Sequence, residues 1–317
     1  MPILISERTP DTRAGVWSAA LAFFLWGILP IYWKEVESVP AMEILAHRIV
    51  WSFGLLMLFI IVTGRFFKTF AILKDRQILI ILIFSSFVIS LNWFLFIWAV
   101  NNGYIIATSL AYFLTPVFNI ICGTLIFKDR PGKAQWAAII LAATGVGAQV
   151  VVAGELPVLA LGLGFCATLY AVLRKLAPVQ AIPGLCVETM FSTPVALAYL
   201  GWLWYSGSLH FGVLAGPWQT VFLGGAGLVT SFPMVLYTYG IRNISLITLA
   251  LLQYITPSIY LVLGVFVYRE AVGLGQALSF IFIWIGLIIY TLAGLRQHYH
   301  VSRMMKVSKP DSSAQTP

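Results

Sequence analysis

The chain has 317 residues, 60% of them hydrophobic and only 9% charged, against about 25% charged in an ordinary soluble domain. Nineteen Lys and Arg against eleven Asp and Glu leave it basic, yet a soluble fold of this length needs more charge to cover its surface. A cytosolic enzyme, a disordered chain and a secreted disulfide scaffold are excluded; an integral membrane protein is what remains.

Met1–Arg13 is polar, carries Glu7 and Asp11, and reads as a cytoplasmic N-terminal segment rather than a signal peptide. A helix crosses the hydrocarbon core with about 20 apolar residues. Ten such segments follow, running approximately Ala14–Trp33, Glu43–Thr63, Ile78–Val100, Tyr104–Phe127, Ala134–Ala153, Leu156–Leu173, Pro183–Tyr205, Trp218–Tyr239, Ile244–Tyr268 and Val272–Leu295. Ile78 to Phe127 is nearly continuous apolar sequence, too long for one helix at 1.5 Å per residue. Asn101-Asn102-Gly103 is its only turn signal and splits it; Gly154-Glu155-Leu156-Pro157 splits the next long run. Runs such as Ile78–Ile83 do not alternate, which favours helices over β-barrel strands. Residues 296–317 turn polar and read as a cytoplasmic tail, disordered from Lys306. The expected fold is an all-α membrane protein of ten transmembrane helices.

Lys and Arg favour cytoplasmic loops. With the N-terminus inside, sixteen of them fall in inside segments, Arg174, Lys175 and Arg242 included, while Lys34 and Arg269 lie outside and Arg48 falls within a span. Both termini are expected in the cytoplasm, and the basic balance reports topology rather than nucleic-acid affinity. Cys122, Cys166 and Cys186 lie in apolar stretches without C-x-x-C spacing and read as small buried hydrophobes.

The third to fifth spans resemble the eighth to tenth at a single offset of 141 residues. Asn102 falls on Asn243, Thr115-Pro116 on Thr256-Pro257, Gly123 on Gly264, Lys128-Asp129 on Arg269-Glu270, Gln135 on Gln276 and Gly145 on Gly286. The first two spans match the sixth and seventh only loosely. Residues 14–153 and 154–295 thus read as two repeats. Five helices is an odd number, so the second copy is inverted, and the charges agree: Lys128-Asp129 lies in an inside loop and Arg269-Glu270 in an outside one. Inverted repeats are a construction of secondary transporters, with the solute site near the midplane between the halves; a repeat kept only for packing is the plainer alternative.

Several motifs bear a resemblance to a known family. Glu43-Ile44-Leu45-Ala46-His47-Arg48 opens the second span, and Asn92-Trp93-Phe94-Leu95-Phe96-Ile97-Trp98-Ala99-Val100-Asn101-Asn102 closes the third. Glu188-Thr189-Met190 lies in the seventh and Gln253-Tyr254-Ile255-Thr256-Pro257 in the ninth. With the Pro116…Asp129 and Pro257…Glu270 spacings, the chain resembles the drug/metabolite transporter superfamily, EamA type, and within it the RarD group. That signature usually has Glu where Asp129 stands. The resemblance covers Ala14 to Leu295. It implies a ten-helix inner-membrane permease of inverted 5+5 build, a label attached to chloramphenicol resistance, and a functional arginine in the second span.

Ionisable groups within the spans are few, and each costs about 2.5–3.5 kcal/mol at mid-bilayer on insertion scales. Glu43 and His47 are i,i+4 neighbours on one face, beside Arg48. Arg48 lies about five residues into its span, roughly 8 Å deep, where it either lines a cavity or snorkels to the interface. Glu188 matches His47 at the same offset, so inversion puts it in the opposite half of the membrane. About 10–15 Å of a 30 Å core then separates it from Arg48, and one charged cluster near each mouth is expected instead of an Arg48–Glu188 pair. Glu188 is a proton-relay candidate or a carboxylate bonded to neighbouring hydroxyls. Pro116 and Pro257 each free a helix carbonyl and mark hinges or packed kinks. Glu43, Glu188, Pro116 and Pro257 are the gating or proton-coupling candidates. Trp26, His47, Arg48, Asn92, Trp93, Tyr112, Gln253 and Tyr254 are the expected solute-binding groups, since polar side chains in hydrocarbon need protein partners or a wet cavity.

The expected partners are a small-molecule solute and the lipid bilayer. The Gly162-Leu163-Gly164 and Gly224-Gly225-Ala226-Gly227 runs precede no lysine and read as helix-packing positions, not phosphate loops. Neither G-x-x-x-x-G-K nor H-E-x-x-H occurs, and no catalytic residue, cofactor or metal is expected. An intramembrane enzyme, or a channel or accessory subunit, stands as the alternative. The first would show an Asp, His or Arg cluster at one interface, the second a continuous polar stripe.

Overall fold

The computed structural model describes residues 11–101, 105–153 and 158–267, with scattered helical positions between 277 and 292. The N-terminal ten residues, the turn at Asn102-Gly103, the Gly154–Pro157 break, the Arg269-Glu270 pair, most of the tenth span and the tail lie outside the described residues.

Every described element is helical. α1 is Thr12–Lys34, α2 Ala41–Val62, α3 the short Phe66–Phe70, α4 Arg76–Asn101, α5 Ile105–Leu125, α6 Lys133–Ala153, α7 Val158–Leu176, α8 Ala181–Tyr205, α9 Pro217–Asn243, α10 Leu246–Gln253 and α11 Ile255–Val262. Helices α1, α2, α7 and α9, most of α4, and α8 together with the turn that follows it are long and apolar enough to cross a membrane. Their ends carry local signals. Asp11 caps α1 by accepting from the Ala14 N–H at 3.0 Å, Asp75 accepts from the N–H groups of Gln77 and Ile78, and Ser245 caps α10 through the Thr248 N–H at 3.1 Å.

The expected ninth span is interrupted. Pro257 has no N–H to give the Gln253 carbonyl, and the helix breaks at Tyr254 into α10 and α11. Pro116, by contrast, sits inside an unbroken α5. Both prolines are buried, and the threonines before them lie at matching junctions. Thr256 donates to the Phe23 carbonyl of α1 at 2.7 Å, while the Thr115 carbonyl of α5 accepts from Thr168 of α7 at 3.3 Å.

The offset of 141 residues carries over to the element bounds. Shifted by it, Arg76–Asn101 falls on α9, Ile105 on the first residue of α10, and Ala41–Val62 on α8. The packing pairs in the same way. α1 lies along α9 and α4 along α7; α5 packs on α7 while α10 and α11 pack on α1; α2 packs on α9 and α8 on α4. Each of these pairs joins an element before residue 154 to one after it.

Small residues allow the closest of these approaches. A Cβ on Gly227 of α9 would lie 2.5 Å from Trp51 Cβ and 2.7 Å from the Trp51 carbonyl oxygen of α2, whereas one on Gly224 meets nothing within 4 Å. Gly227→Ala therefore wedges two backbones apart and is expected to cost about 1–3 kcal/mol. Gly224→Ala is expected to be neutral or stabilising by up to about 1 kcal/mol through helix propensity. Thermal unfolding midpoints of the two purified variants against the parent check this; equal midpoints would refute the close α2–α9 contact.

Candidate functional site

A cavity lies where α2, α4, α8 and α9 converge. It is lined by Arg48, Ser52, Trp93, Thr189, Thr230 and Met234, with apolar walls from Ile49 and Leu185. It has space of about 10 Å³, room for about one water. Arg48 and Thr189 are partners at the 141-residue offset, and so are Trp93 and Met234. Equivalent positions of the two repeats therefore face one another across the same space.

Arg48 is held on three sides. Its Nε donates to Thr230 Oγ1 at 3.1 Å. Its guanidinium lies 5.0 Å from the ring centroid of Trp33 and 5.0 Å from that of Trp93, within cation–π range of both. The side chain points across the bundle from α2 to α9 and is half-buried. Beside it, the Ser52 hydroxyl donates to the Gly227 carbonyl at 3.3 Å.

Glu43 and His47 form a cluster at the N-terminal end of α2. Glu43 is fully buried. Its Oε1 accepts from the backbone N–H groups of His210 and Phe211 at 2.8 and 3.1 Å, and its Oε2 lies 2.8 Å from His210 Nδ1. One carboxylate thus ties down the helical turn His210–Leu214 between α8 and α9, which closes through Gly212 at φ +69°. The Phe211 ring rests on His47 at 4.7 Å between centroids and joins Trp33, Val36, Val39 and Leu223 in an apolar plug over this end of the cavity.

Glu188 occupies the other end. Its Oε1 accepts from the Ser85 hydroxyl and its Oε2 from the Tyr170 hydroxyl at 3.2 Å, with Arg174 Nη1 3.5 Å from Oε1. Arg48 and Glu188 have separate sets of partners. The hydroxyl-bonded carboxylate among the sequence expectations is also what the coordinates present. Arg174, counted above as an inside-loop cation, instead lies in the last turn of α7 and is fully buried. Gly184 of α8 makes the room: a Cβ there would sit 2.7 Å from Arg174 Nη2.

The remaining candidates are spread around the cavity, not gathered in it. Asn92 donates to the Leu163 carbonyl at 2.8 Å, joining α4 to α7. Gln253 accepts from the Asn119 amide at 3.0 Å, joining α10 to α5. Trp26 packs on Tyr237 with ring centroids 5.0 Å apart, Tyr112 sits edge-on to Phe96 at 6.3 Å, and Tyr254 is buried among Ala111, Leu114, Ala160 and Leu163. Trp33, Thr189, Thr230 and Met234 were not singled out from the sequence. The last three carry no charge, and the offset that maps Arg48 to Thr189 and Trp93 to Met234 was the one signal that pointed to two of them.

Several helices long and apolar enough to cross a bilayer, packed round a small cavity that Arg48 borders, mark a multi-pass membrane protein. The chain belongs to the EamA-like transporter family, whose model matches twice, at residues 13–149 and 157–292. It is 38% identical to Protein RarD of Salmonella typhi over 89% of this chain and 96% of that protein. It is 36% identical to an uncharacterized transporter of Vibrio cholerae over 92% of this chain and 97% of that one. At 25% identity it also matches a protein of Pseudomonas aeruginosa named chloramphenicol-sensitive protein RarD, over 87% of this chain and 92% of that one. A solved crystal structure superimposes with a TM-score of 0.65 at 16% identity, over 88% of this chain and 98% of its own length, and so shares the fold.

Proposed function

We propose that this protein is an inner-membrane secondary transporter that moves a small solute by alternating access between two inverted five-helix halves. The observation that carries the reading is the Arg48 cavity, whose lining comes from both repeats and pairs their equivalent positions. The reciprocal packing of α1 on α9 and α4 on α7 supports a two-fold relation between the halves, and an odd number of helices per half makes that relation an inversion. A cation between two tryptophans, with hydroxyls from Ser52, Thr189, Thr230 and Ser231 nearby, suits a partly apolar solute bearing a carboxylate, such as an amino acid or an aromatic drug-like molecule, admitted when the halves part and widen a space that here holds about one water. A sugar phosphate would call for more than one cation in the cavity. Glu43 and Glu188 are the gating or proton-coupling groups at the two ends, and Pro116 and Pro257 the hinges. Trp26, His47, Asn92, Tyr112, Gln253 and Tyr254 support the cavity, with Trp93 in its wall.

The test is reconstitution. Purified protein in liposomes is screened against a metabolite panel, chloramphenicol included, with and without a pH gradient. Saturable flux of a carboxylate-bearing solute is expected, and flux of none above empty liposomes would overturn the reading. The orientation has its own check. With both termini cytoplasmic, alkaline phosphatase fused within residues 207–216 is expected to be active and a fusion after Lys309 inactive; the opposite pattern would reverse the topology.

A further inference from the structure

The end of the bundle formed by the C-terminal turns of α7 and α9 holds three cations, and they are not used alike. Lys175 Nζ donates to the Ile241 and Ile244 carbonyls at 3.2 and 2.5 Å, closing the end of α9. Arg242 donates to the Val179 carbonyl. Arg174 donates to nothing: Nε, Nη1 and Nη2 are all buried without a hydrogen-bond partner. A guanidinium has five N–H donors and no way to lose its charge, so burying it with none satisfied is costly unless an acceptor serves it. Glu188 stands at 3.5 Å, and its two oxygens accept from Ser85 and Tyr170. It neutralises Arg174 without bonding to it.

The site adjoins the solute cavity. Gly184 and Glu188 face Arg174 from one side of α8, while Leu185 and Thr189, each the next residue, line the Arg48 cavity. Successive residues are about 1.5 Å apart along a helix, so the same stretch of α8 borders the cavity on one face and Arg174 on another.

The geometry points to Arg174 as a second anion-binding site, one that takes the carboxylate of the solute at the end of the path opposite Glu43, with Glu188 as the resident counter-ion it meets in the solute's absence. The planar fork of Arg174 matches a carboxylate bidentately. The hydroxyls of Ser85 and Tyr170 keep Glu188 satisfied when a solute carboxylate engages the guanidinium. This assignment rests on the transport reading for its meaning, but its test needs no transport.

The test is arginine footprinting of the full chain in lipid nanodiscs. Phenylglyoxal is applied with and without benzoate, a planar carboxylate probe, and adducts are located by mass spectrometry. Arg174 is expected to be modified during opening of that end. Benzoate at ten times its dissociation constant leaves about one-tenth of the sites free, so adduct formation at Arg174 is expected to fall about tenfold. The protection is expected to persist in Arg48→Met, which separates this site from the cavity. An Arg174 that never reacts, even in Glu188→Gln, is a structural ion pair only, and the assignment fails. An Arg174 that reacts unprotected is open but binds no anion, and the assignment fails again. Protection by phosphate equal to that by benzoate would mark an inorganic-anion site and remove the solute from it. If Arg174 is protected as expected and no solute is transported by the parent protein, the transport reading fails and the anion site stands.

Discussion

Arg48→Ala is expected to abolish transport of an anionic or zwitterionic solute while leaving the protein inserted in the membrane. The guanidinium is the one charge lining the described cavity, fixed by Thr230 Oγ1 and stacked between Trp33 and Trp93. Breaking a buried charge pair with a ligand costs about 2–5 kcal/mol, so flux in proteoliposomes at fixed solute concentration is expected to fall about a hundredfold or more. Insertion does not suffer, because removing an arginine from a span lowers its insertion cost by about 2.5–3.5 kcal/mol. Arg48→Lys is expected to restore little. A lysine keeps the charge but not the plane that two tryptophans enclose, nor the fork that meets a carboxylate. Wild-type flux in Arg48→Ala, at equal protein in the membrane fraction, would reduce Arg48 to a cation that braces α2 against α9.

The helices that Arg48 joins were legible in the sequence, and so was the offset between them. Apolar length and turn residues locate α1, α2, α4, α5, α7, α8 and α9 to within a few residues, because a bilayer demands about 20 apolar residues per crossing whatever the tertiary contacts. The break at Tyr254 was foreshadowed only by Pro257, and the identical proline at 116 leaves α5 intact; neighbouring helices decide which backbone gap opens. The candidate site was legible where charge marks it. Arg48, Glu43, His47 and Glu188 stand out against hydrocarbon, and the first three do sit together at one end of α2. Amides were poorer guides. Asn92 and Gln253 satisfy themselves against the Leu163 carbonyl and Asn119, since a polar group in lipid is served as well by a neighbouring helix as by a cavity. Arg174 was misplaced because counting loop cations treats every basic residue at a helix end as exposed, and the feature that buries it is a glycine ten residues later on another helix.

Removing Glu188 alone is expected to destabilise the protein more than removing Glu188 and Arg174 together. In Glu188→Leu the fully buried Arg174 loses its counter-ion among the described residues, and breaking one side of a buried pair costs about 3–5 kcal/mol. The double variant Glu188→Leu with Arg174→Met leaves no charge behind. Two apolar side chains of similar bulk then fill the space beside Gly184, and replacement of a whole buried pair in this way is often neutral or stabilising. Ser85 and Tyr170 each lose an acceptor in both variants, so that term cancels between them and the difference reports the stranded charge. Thermal unfolding midpoints in one detergent are expected to rank the parent near the double variant, with Glu188→Leu well below both. Transport is expected to divide them differently: the double variant folds as the parent does yet moves no solute, as the roles proposed for Glu188 and Arg174 require. A double variant that both folds and transports would confine Glu188 and Arg174 to structure, and would leave Glu43 as the remaining acidic group at either end of the cavity.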